Sequence, residues 1–243
     1  MELDTTVALV TGSTSGIGRA IAQRLADQGA RVVVNSVRSV DAGEELAASL
    51  PDAIYVQGDV SDPEAAQHLV DRTMETWGRL DVLVNNAGTT QRIPHADLDA
   101  VDAEMFRHVL DVNVVGPWNV SRAAAKHLRD GDGGQIVNVS SVAGVRPTGS
   151  SVPYATSKAA LNHLTLLLAN VLGPEVRVNA IAPGLIATPW TEDWRDLHEA
   201  VEGMAPLKRV GTPDDVAEVC LGLLRADYMT GEVLIADGGI HLR

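Results

Sequence analysis

The sequence has a single cysteine, Cys220, and no apolar run that approaches the roughly 20 residues needed to span a membrane. One thiol cannot form an internal disulfide, and its apolar helical context, AEVCLGLL, predicts a buried, unreactive side chain. The first residues, MELDTTVALVTG, lack the basic stretch and long apolar segment of a secretory signal. These absences favour a cytoplasmic protein that neither enters a membrane nor depends on disulfides.

Basic residues are also scarce: 19 Lys and Arg stand against 32 Asp and Glu, for a formal net charge of -13. Because nucleic-acid binding needs clustered Lys and Arg against phosphates, we do not expect a nucleic-acid partner. The seven histidines form no H-x-x-x-H pair and no cluster with the cysteine, so the pattern gives no support for a metal site. Only three lysines occur, at 126, 158 and 208, which makes a lysine inside a motif informative.

Apolar β-branched runs alternate with amphipathic segments along the whole chain. Strands are predicted at 6–11, 30–35, 53–58, 80–85, 134–140, 176–182 and 232–237. Helices are predicted at 16–28, 39–50, 62–77, 97–129 (as two helices), 153–172 and 213–225. Near-continuous apolar strands that are each followed by a helix are typical of a parallel sheet covered on both faces. We therefore predict one α/β domain over residues 1–243: a doubly wound, Rossmann-like fold with a seven-stranded parallel sheet.

Residues 183–212 are the most irregular part of the chain, with several prolines and a short helical insert. In a doubly wound sheet, a segment that follows a late strand can lie over the ligand crevice. We predict a substrate lid at about 186–212. Its two tryptophans, Trp190 and Trp194, either line an apolar substrate wall or pack the lid onto the domain.

The first predicted strand runs directly into TGSTSGIG and then into a helix. This order brings backbone N–H groups and a helix N-terminus to a pyrophosphate. Gly12 allows the tight turn, Gly16 the close approach of backbone to phosphate, and Gly18 close packing of helix on strand. The spacing G-x-x-x-G-x-G differs from the commoner G-x-G-x-x-G, but its strand–helix context predicts nucleotide binding.

The end of the second strand discriminates between the two nicotinamide dinucleotides, because an acidic residue there binds the ribose 2′-hydroxyl and repels a 2′-phosphate. The position that would carry the acid is Ser36, and Arg38 lies just beyond it. A hydroxyl and a guanidinium suit a 2′-phosphate, so NADP(H) is favoured and NAD(H) remains possible. Ser15 argues the other way, since it leaves the glycine turn without an added basic residue.

The segment PYATSKAALNHLTLLLANVL, residues 153–172, carries a tyrosine and a lysine four residues apart near its start. At this spacing Tyr154 and Lys158 are neighbours on one helix face. A nearby ammonium favours the phenolate and lowers the tyrosine pKa, so Tyr154 could supply a proton while a nicotinamide supplies hydride. The preceding strand ends in IVNVSS, where Ser141 can polarise a substrate carbonyl and Ser140 is expected to point the other way.

Together these residues resemble the compact branch of the short-chain dehydrogenase/reductase family, over essentially the whole chain. The motifs that carry the resemblance, in order, are TGSTSGIG, DV at 59–60, NNAG at 85–88, Asn113 within NVVG, Ser141, YATSK, PG at 183–184 and ADGG. The resemblance implies a catalytic group of Asn113, Ser141, Tyr154 and Lys158. In it Asn113 holds a water through its backbone carbonyl, and Lys158 also hydrogen-bonds the nicotinamide ribose.

The resemblance also implies which residues bind the cofactor and how the protein assembles. Asp59 and Val60 contact adenine, Asn85 steadies the sheet, and Thr188 contacts the nicotinamide carboxamide. From the residues and the resemblance together, the complete predicted cofactor-binding set is Gly12, Ser13, Ser15, Gly16, Ile17, Gly18, Ser36, Arg38, Asp59, Val60, Asn86, Ala87, Gly88, Tyr154, Lys158, Pro183, Gly184, Ile186 and Thr188. A homotetramer is implied, with interfaces on the helices around 97–129 and 153–172.

The sequence thus predicts an NAD(P)-dependent oxidoreductase that interconverts a ketone or aldehyde with an alcohol. A 3-oxoacyl thioester is one plausible substrate, because PLKRVGTPDDVA and the tail resemble that subgroup. The alternatives are an NAD-linked alcohol or sugar-alcohol dehydrogenase and, from another class, a non-catalytic dinucleotide-binding sensor. The sensor would tolerate loss of Tyr154 or Lys158, whereas this sequence retains both.

Overall fold

The computed structural model describes residues 2–131 and 133–243, and a parallel sheet forms its centre. The strands are β1 (Val7–Val10), β2 (Arg31–Ser36), β3 (Ala53–Gln57), β4 (Val82–Asn85), β5 (Gly134–Val139), β6 (Val176–Pro183) and β7 (Val233–Ala236). Their order across the sheet is β3-β2-β1-β4-β5-β6-β7. The predicted seven-stranded, doubly wound parallel sheet is confirmed. The strand order reverses between β1 and β4, and such a switch point is where ligands bind in this class of fold.

Eight α-helices connect and cover these strands within the described residues. They are α1 (Gly16–Asp27), α2 (Val40–Ser49), α3 (Pro63–Trp77), α4 (Ala103–Leu110), α5 (Gly116–Asp130), α6 (Val152–Leu172), α7 (Arg195–Met204) and α8 (Pro213–Arg225). None of them is long and apolar enough to cross a membrane. The helical insert expected inside 183–212 is α7.

Two hydrophobic cores lie on opposite faces of the sheet, and the alternation of side chains along β1 divides them. Ala8 and Val10 face the core formed with α1, α2 and α8, whereas Leu9 faces the core formed with α3, α5 and α6. Cys220 of α8 is fully buried in the first core, and burial raises the pKa of its thiol to about 12. A buried, unreactive cysteine was the prediction.

The predicted helical region 97–129 begins later than expected and has an irregular centre. The Asp102 carboxylate accepts a hydrogen bond from the Met105 amide (2.8 Å), so α4 begins at Ala103 and residues 97–102 stay outside it. After α4 a π-helical turn, Asp111–Val115, leads into α5. Pro117 has no N–H to donate to the carbonyl of Asn113, as a regular α-helix would require, so the helical ladder is displaced at this turn.

Candidate active site

A cleft of about 1040 Å³ runs along the carboxyl ends of the strands. Most residues of the predicted site line it: Gly12, Ser15, Gly16, Ile17, Ser36, Arg38, Asp59, Val60, Asn86, Ala87, Gly88, Ser141, Tyr154, Lys158, Pro183, Gly184, Ile186 and Thr188. Ser13, Gly18 and Asn113 do not line the cleft and lie behind its wall. The geometry of each region shows why.

The glycine turn packs directly against the NNAG segment. Gly12 and Gly16 have left-handed backbones, with φ of 60° and 53°, which favour glycine. A Cβ on Gly12 would lie 2.8 Å from the Cα of Ala87, and one on Gly18 would collide with Asn86 Nδ2 and the carbonyl of Gly12. These glycines therefore leave the backbone of the turn open towards the cleft while its other side stays in close contact with β4.

Ser13 and Asn35 hold the turn from beneath. The Ser13 hydroxyl donates to the carbonyl of Val10 (2.7 Å) and accepts from the amide of Asn35 (3.0 Å). The side-chain oxygen of Asn35 accepts from the Gly12 amide (3.1 Å), and its Nδ2 donates to the carbonyls of Val56 and Gly58. Ser13 is fully buried, so its side chain supports the shape of the turn.

Thr11 fixes the start of the NNAG segment in a similar way. Its hydroxyl oxygen accepts from the amides of Asn86 (3.0 Å) and Ala87 (3.1 Å). Asn85 Nδ2 donates to Asn138 Oδ1 (2.9 Å) on the neighbouring strand and to Ser121 Oγ (3.1 Å), which ties β4 to β5 and α5. Neither Thr11 nor Asn35 was predicted as part of the site, although both follow apolar strand runs at the carboxyl edge of the sheet.

At the far end of the cleft, Ser36 is the last residue of β2 and Arg38 lies two residues beyond it. The Ser36 hydroxyl is buried and hydrogen-bonded to the Tyr55 hydroxyl (2.9 Å). The Arg38 side chain lines the cleft, is exposed, and makes no ion pair with any described residue. Its guanidinium is therefore available to a ligand.

Ser141, Tyr154 and Lys158 come together at the other end. Ser151 caps α6 by accepting from the amide of Tyr154 (3.4 Å), which sets Tyr154 and Lys158 in its first turns. Ser141 lies just after β5, where its Oγ accepts from the Ala143 amide (3.2 Å) and its side chain interacts with the Tyr154 hydroxyl. Lys158 is 4% exposed, and its Nζ donates to the carbonyl of Val139 (2.8 Å) and lies 5.6 Å from the centre of the Tyr154 ring.

The titration of this group differs from the prediction. Burial raises the pKa of the Tyr154 hydroxyl above its ordinary value, and the hydrogen bond with Ser141 opposes this rise without cancelling it. Burial lowers the pKa of the Lys158 ammonium to about 8. The predicted lowering of the tyrosine pKa by Lys158 is wrong, because desolvation of the buried phenol dominates and the Lys158 Nζ donates to the Val139 carbonyl.

Asn113 lies in the π-helical turn and is fully buried. Its Nδ2 donates to the Thr89 carbonyl (2.9 Å) and to Ser157 Oγ (2.9 Å), and its Oδ1 accepts from the Thr89 amide (2.8 Å). The side chain thereby joins the loop after β4 to α6. Such π-helical turns are frequent at functional sites.

Ser140 and Ser141 have different partners, as alternation along β5 predicted. The Ser140 hydroxyl donates to Asn162 Oδ1 (2.5 Å) and lies 3.3 Å from the carbonyl of Lys158. Asn162 Nδ2 donates in turn to the Gly144 carbonyl (3.1 Å). Ser140 and Asn162 thus bind the segment after β5 to α6 without involving Ser141.

Trp190 and Trp194, the two tryptophans of the predicted lid, both line the cleft. The Trp190 ring meets the Tyr154 ring edge-on, with 6.3 Å between centres and 84° between planes. The Arg92 guanidinium lies 5.9 Å from the centre of the Trp194 ring and binds Asp196 through two contacts, of 3.0 and 2.5 Å. This pair joins the loop after β4 to α7 over 104 residues of sequence, and no local pattern indicated it.

The cleft has the features that a dinucleotide requires. The backbone of Gly12 and Gly16 faces the cleft, and the Arg38 guanidinium lies beyond β2. The hydroxyl and ammonium groups of Ser141, Tyr154 and Lys158 lie at the opposite end. Within the described residues, no group of three or more His, Cys, Asp and Glu side chains could hold a metal ion.

Comparison with known proteins agrees with this geometry. A family model described as "Enoyl-(Acyl carrier protein) reductase" matches residues 12–241. The chain is 58% identical to the "Granaticin polyketide synthase putative ketoacyl reductase 2" of Streptomyces violaceoruber, over 97% of this chain and 96% of that one. It is 37% identical to a 3-oxoacyl-[acyl-carrier-protein] reductase of Thermotoga maritima, over 99% of both.

A solved structure has the same fold along nearly its entire length. It is a short-chain dehydrogenase/reductase structure from Burkholderia xenovorans, with a TM-score of 0.92, 38% identity and coverage of 98% of this chain and 99% of that one. The family match, the relatives and this structure agree with one another. The chain therefore belongs to the short-chain dehydrogenase/reductase family of NAD(P)(H)-binding oxidoreductases.

Proposed function

We propose that the protein reduces a ketone to an alcohol with NADPH. The observation that carries this proposal is the gathering of Ser141, Tyr154 and Lys158 at one end of a cleft whose other end holds the glycine turn and Arg38. Reduction of a carbonyl needs a reductant and a proton donor side by side, and this cleft can accommodate both.

The residues that would hold NADPH are those predicted from the sequence. The backbone at Gly12 and Gly16 would bind the pyrophosphate, Arg38 the 2′-phosphate, and Asp59 and Val60 the adenine. Thr188 would hold the nicotinamide end, and its side chain lies close to the glycine turn, since a Cβ on Gly16 would come 3.3 Å from Thr188 Cγ2. When bound, the cofactor supplies hydride.

The chain's own residues supply the proton. Because its pKa lies above the ordinary value of 10, Tyr154 is protonated at neutral pH and can donate to the developing alkoxide. Ser141 would hold the same oxygen by a hydrogen bond, and the Lys158 ammonium would stabilise the phenolate left behind. Asn113 would keep the Thr89 loop and α6 in register beside this group.

The substrate side of the cleft favours an apolar acyl chain or ring system with polar groups only at the reacting end. Its lining includes Trp190, Trp194, Leu197, Val201 and Met204 from the lid. The named relatives are ketoacyl reductases, in agreement with a 3-oxoacyl or polyketide thioester as substrate.

The proposal is tested by following NADPH and NADH absorbance with a 3-oxoacyl thioester, an enoyl thioester, a sugar and a small ketone. We expect NADPH-dependent reduction of the 3-oxoacyl thioester to its 3-hydroxy product, identified by mass spectrometry. Faster consumption of NADH would favour the NAD-linked alternative. Reduction of the enoyl thioester alone would give the reaction that the family description names. Binding of both cofactors without turnover on any substrate would favour the sensor.

We also propose the homotetramer that the resemblance implies. Large apolar side chains are exposed on α5 and α6, which are the helices expected at the interfaces: Trp118, Leu166, Leu167 and Val171. Exposed apolar groups clustered on neighbouring helices favour association. Light scattering coupled to size exclusion should give about four times the 25.7 kDa chain mass.

A further inference from the structure

A histidine and a buried carboxylate near the end of the chain form a pair that the proposed mechanism does not use. The Nδ1 atom of His241 lies 2.9 Å from both oxygens of Asp237. The Asp237 side chain is 2% exposed, whereas that of His241 is 27% exposed and His241 lines the cleft. One member is therefore inside the protein and the other reaches the substrate side.

The chemistry of the pair fixes which ring nitrogen is free. An ionised carboxylate can only accept hydrogen bonds, so Nδ1 must carry a hydrogen, and Nε2 is the atom left for another partner. No described residue hydrogen-bonds Nε2. When both nitrogens are protonated, Nε2 becomes a donor and Asp237 balances the charge.

Capping alone does not require the imidazole. The Asp237 carboxylate already accepts from the amides of Gly239 (2.8 Å) and His241 (2.8 Å), one on each oxygen, which closes the turn at Ile240–Leu242. An alanine at 241 would preserve both backbone bonds. The ring adds a third donor to a satisfied carboxylate and presents a second nitrogen outward.

Three segments that border the cleft contact the pair or its turn. Arg146, which follows the Ser141 segment, donates to the carbonyl of His241 (2.6 Å). Gly184 donates its amide to Ala236 (3.0 Å) and packs against Asp237, where an added Cβ would lie 2.8 Å from the Asp237 Cβ. The Leu207 amide donates to the Gly238 carbonyl (3.1 Å). The Ser141 segment, the segment after β6 and the end of the lid thus converge on this turn.

We propose that His241, oriented by Asp237, is a substrate-binding residue whose imidazolium form donates from Nε2 to a second carbonyl oxygen of the substrate. Ser141 and Tyr154 hold the carbonyl that is reduced, and His241 recognises a further one, such as the thioester carbonyl of a 3-oxoacyl compound. The inference rests on the proposed function. It adds selectivity for compounds with two carbonyls over simple ketones.

The test compares two ligands and three proteins. The ligands are S-acetoacetyl-N-acetylcysteamine and its analogue in which a methylene replaces the thioester carbonyl. The proteins are wild type, His241→Asn and His241→Gln. Asparagine can place an amide nitrogen near the position of Nδ1 and preserve the bond to Asp237 without Nε2. Glutamine can place its amide nitrogen near the position of Nε2.

Affinities are measured by calorimetry with NADP+ present, where no reduction can occur, and kcat/KM is measured separately with NADPH. In His241→Asn we expect the preference for the dicarbonyl ligand to fall about tenfold in both measurements, the effect of one lost hydrogen bond. In His241→Gln part of it should return. An unchanged preference in His241→Asn, equal losses in both variants, or wild type that binds neither ligand would overturn the inference. Normal binding selectivity without any turnover would instead overturn the proposed function.

Discussion

The two ends of the cleft are built differently. At the glycine-turn end, buried or half-buried polar side chains hydrogen-bond the backbone or one another: Thr11, Ser13, Asn35, Asn85 and Asn86. At the substrate end, side chains from irregular segments pack on one another, and the pair of Arg92 and Asp196 that joins them lies at the surface, 43% and 68% exposed. The first end is a fixed frame, whereas the second is held by interactions that water and salt can weaken.

The difference corresponds to the two ligands: the cofactor site binds one molecule of fixed structure, whereas the substrate site must admit and release substrate. A dinucleotide has one shape, and a frame of buried hydrogen bonds suits it. The predicted substrate lid would have to open for substrate and close again, and weak surface contacts suit such a segment. Ser141, Tyr154 and Lys158 lie at the boundary: their positions are set by β5 and α6, but Trp190 of the lid touches Tyr154.

The largest effect on turnover should come from Tyr154, which lies between the two ends of the cleft. Tyr154→Phe removes the proposed proton donor, and we expect kcat to fall by about 10²–10⁴-fold, as for loss of a general acid. Cofactor affinity should stay within a few-fold, because the fixed frame is untouched. Steady-state kinetics and NADPH titration measure the two quantities. Turnover near the wild-type level would show that Tyr154 is not the acid.

Lys158, a member of the proposed catalytic group, is buried, so its charge affects the free energy of unfolding. Its pKa is about 8 in the folded protein against an ordinary value of 10.5, so the unfolded chain binds more protons between these pH values. Stability therefore rises with pH across this window, and the cost of the buried charge is fully present only below about pH 8. Relative to Lys158→Met, wild type should gain about 2 kcal/mol of unfolding free energy from pH 7 to 9.5.

Urea denaturation of wild type and Lys158→Met at pH 7 and 9.5 gives the free energy of unfolding of each protein. The titration of groups other than Lys158 contributes equally to both proteins and cancels when they are compared. A constant difference between the proteins would show that Lys158 titrates near its ordinary value and is better solvated than its 4% exposure indicates.

Arg38 tests whether the frame also selects the cofactor. Arg38→Ala removes a charge-assisted contact with a 2′-phosphate, and we expect NADPH affinity to fall about tenfold or more while NADH affinity changes little. Fluorescence titration with both cofactors measures this. Equal losses would mean that Arg38 does not bind the 2′-phosphate. Arg19, an exposed cation on α1 outside the cleft lining, provides a matched control as Arg19→Ala.

The same contrast explains which parts of the molecule could be predicted from its sequence. The strands, the glycine turn and the Tyr154–Lys158 pair could be predicted from short sequence patterns. The periodicities of strands and helices determine which residues close in sequence are neighbours in the structure. The supports of the frame were missed because Thr11 and Asn35 are single polar residues within strand patterns, and their partners lie in other strands. The late start of α4 had a local signal in Asp102, a residue suited to cap a helix.

The substrate end was least predictable, since its contacts are distant in sequence and come from segments without periodicity. Arg92 and Asp196 are 104 residues apart. The i, i+4 spacing of Asp237 and His241 could have indicated that the two side chains interact. We instead interpreted Asp237 and the two glycines after it only as part of the family motif ADGG. The direction of the Tyr154 pKa depended on burial, which the i, i+4 pattern does not report.

The smallest effect should come from the surface pair that secures the lid. Arg92→Met removes the ion pair with Asp196 and the contact with Trp194, and exposed pairs of this kind are weak. We expect KM for the 3-oxoacyl thioester to rise about threefold, with NADPH affinity unchanged because the frame lies elsewhere. The charge-reversed double variant Arg92→Asp, Asp196→Arg should recover most of the loss. The difference between wild type and Arg92→Met should also shrink at 1 M salt, where the Debye length is about 3 Å. A matching fall in NADPH affinity would mean that the lid and the frame form one unit.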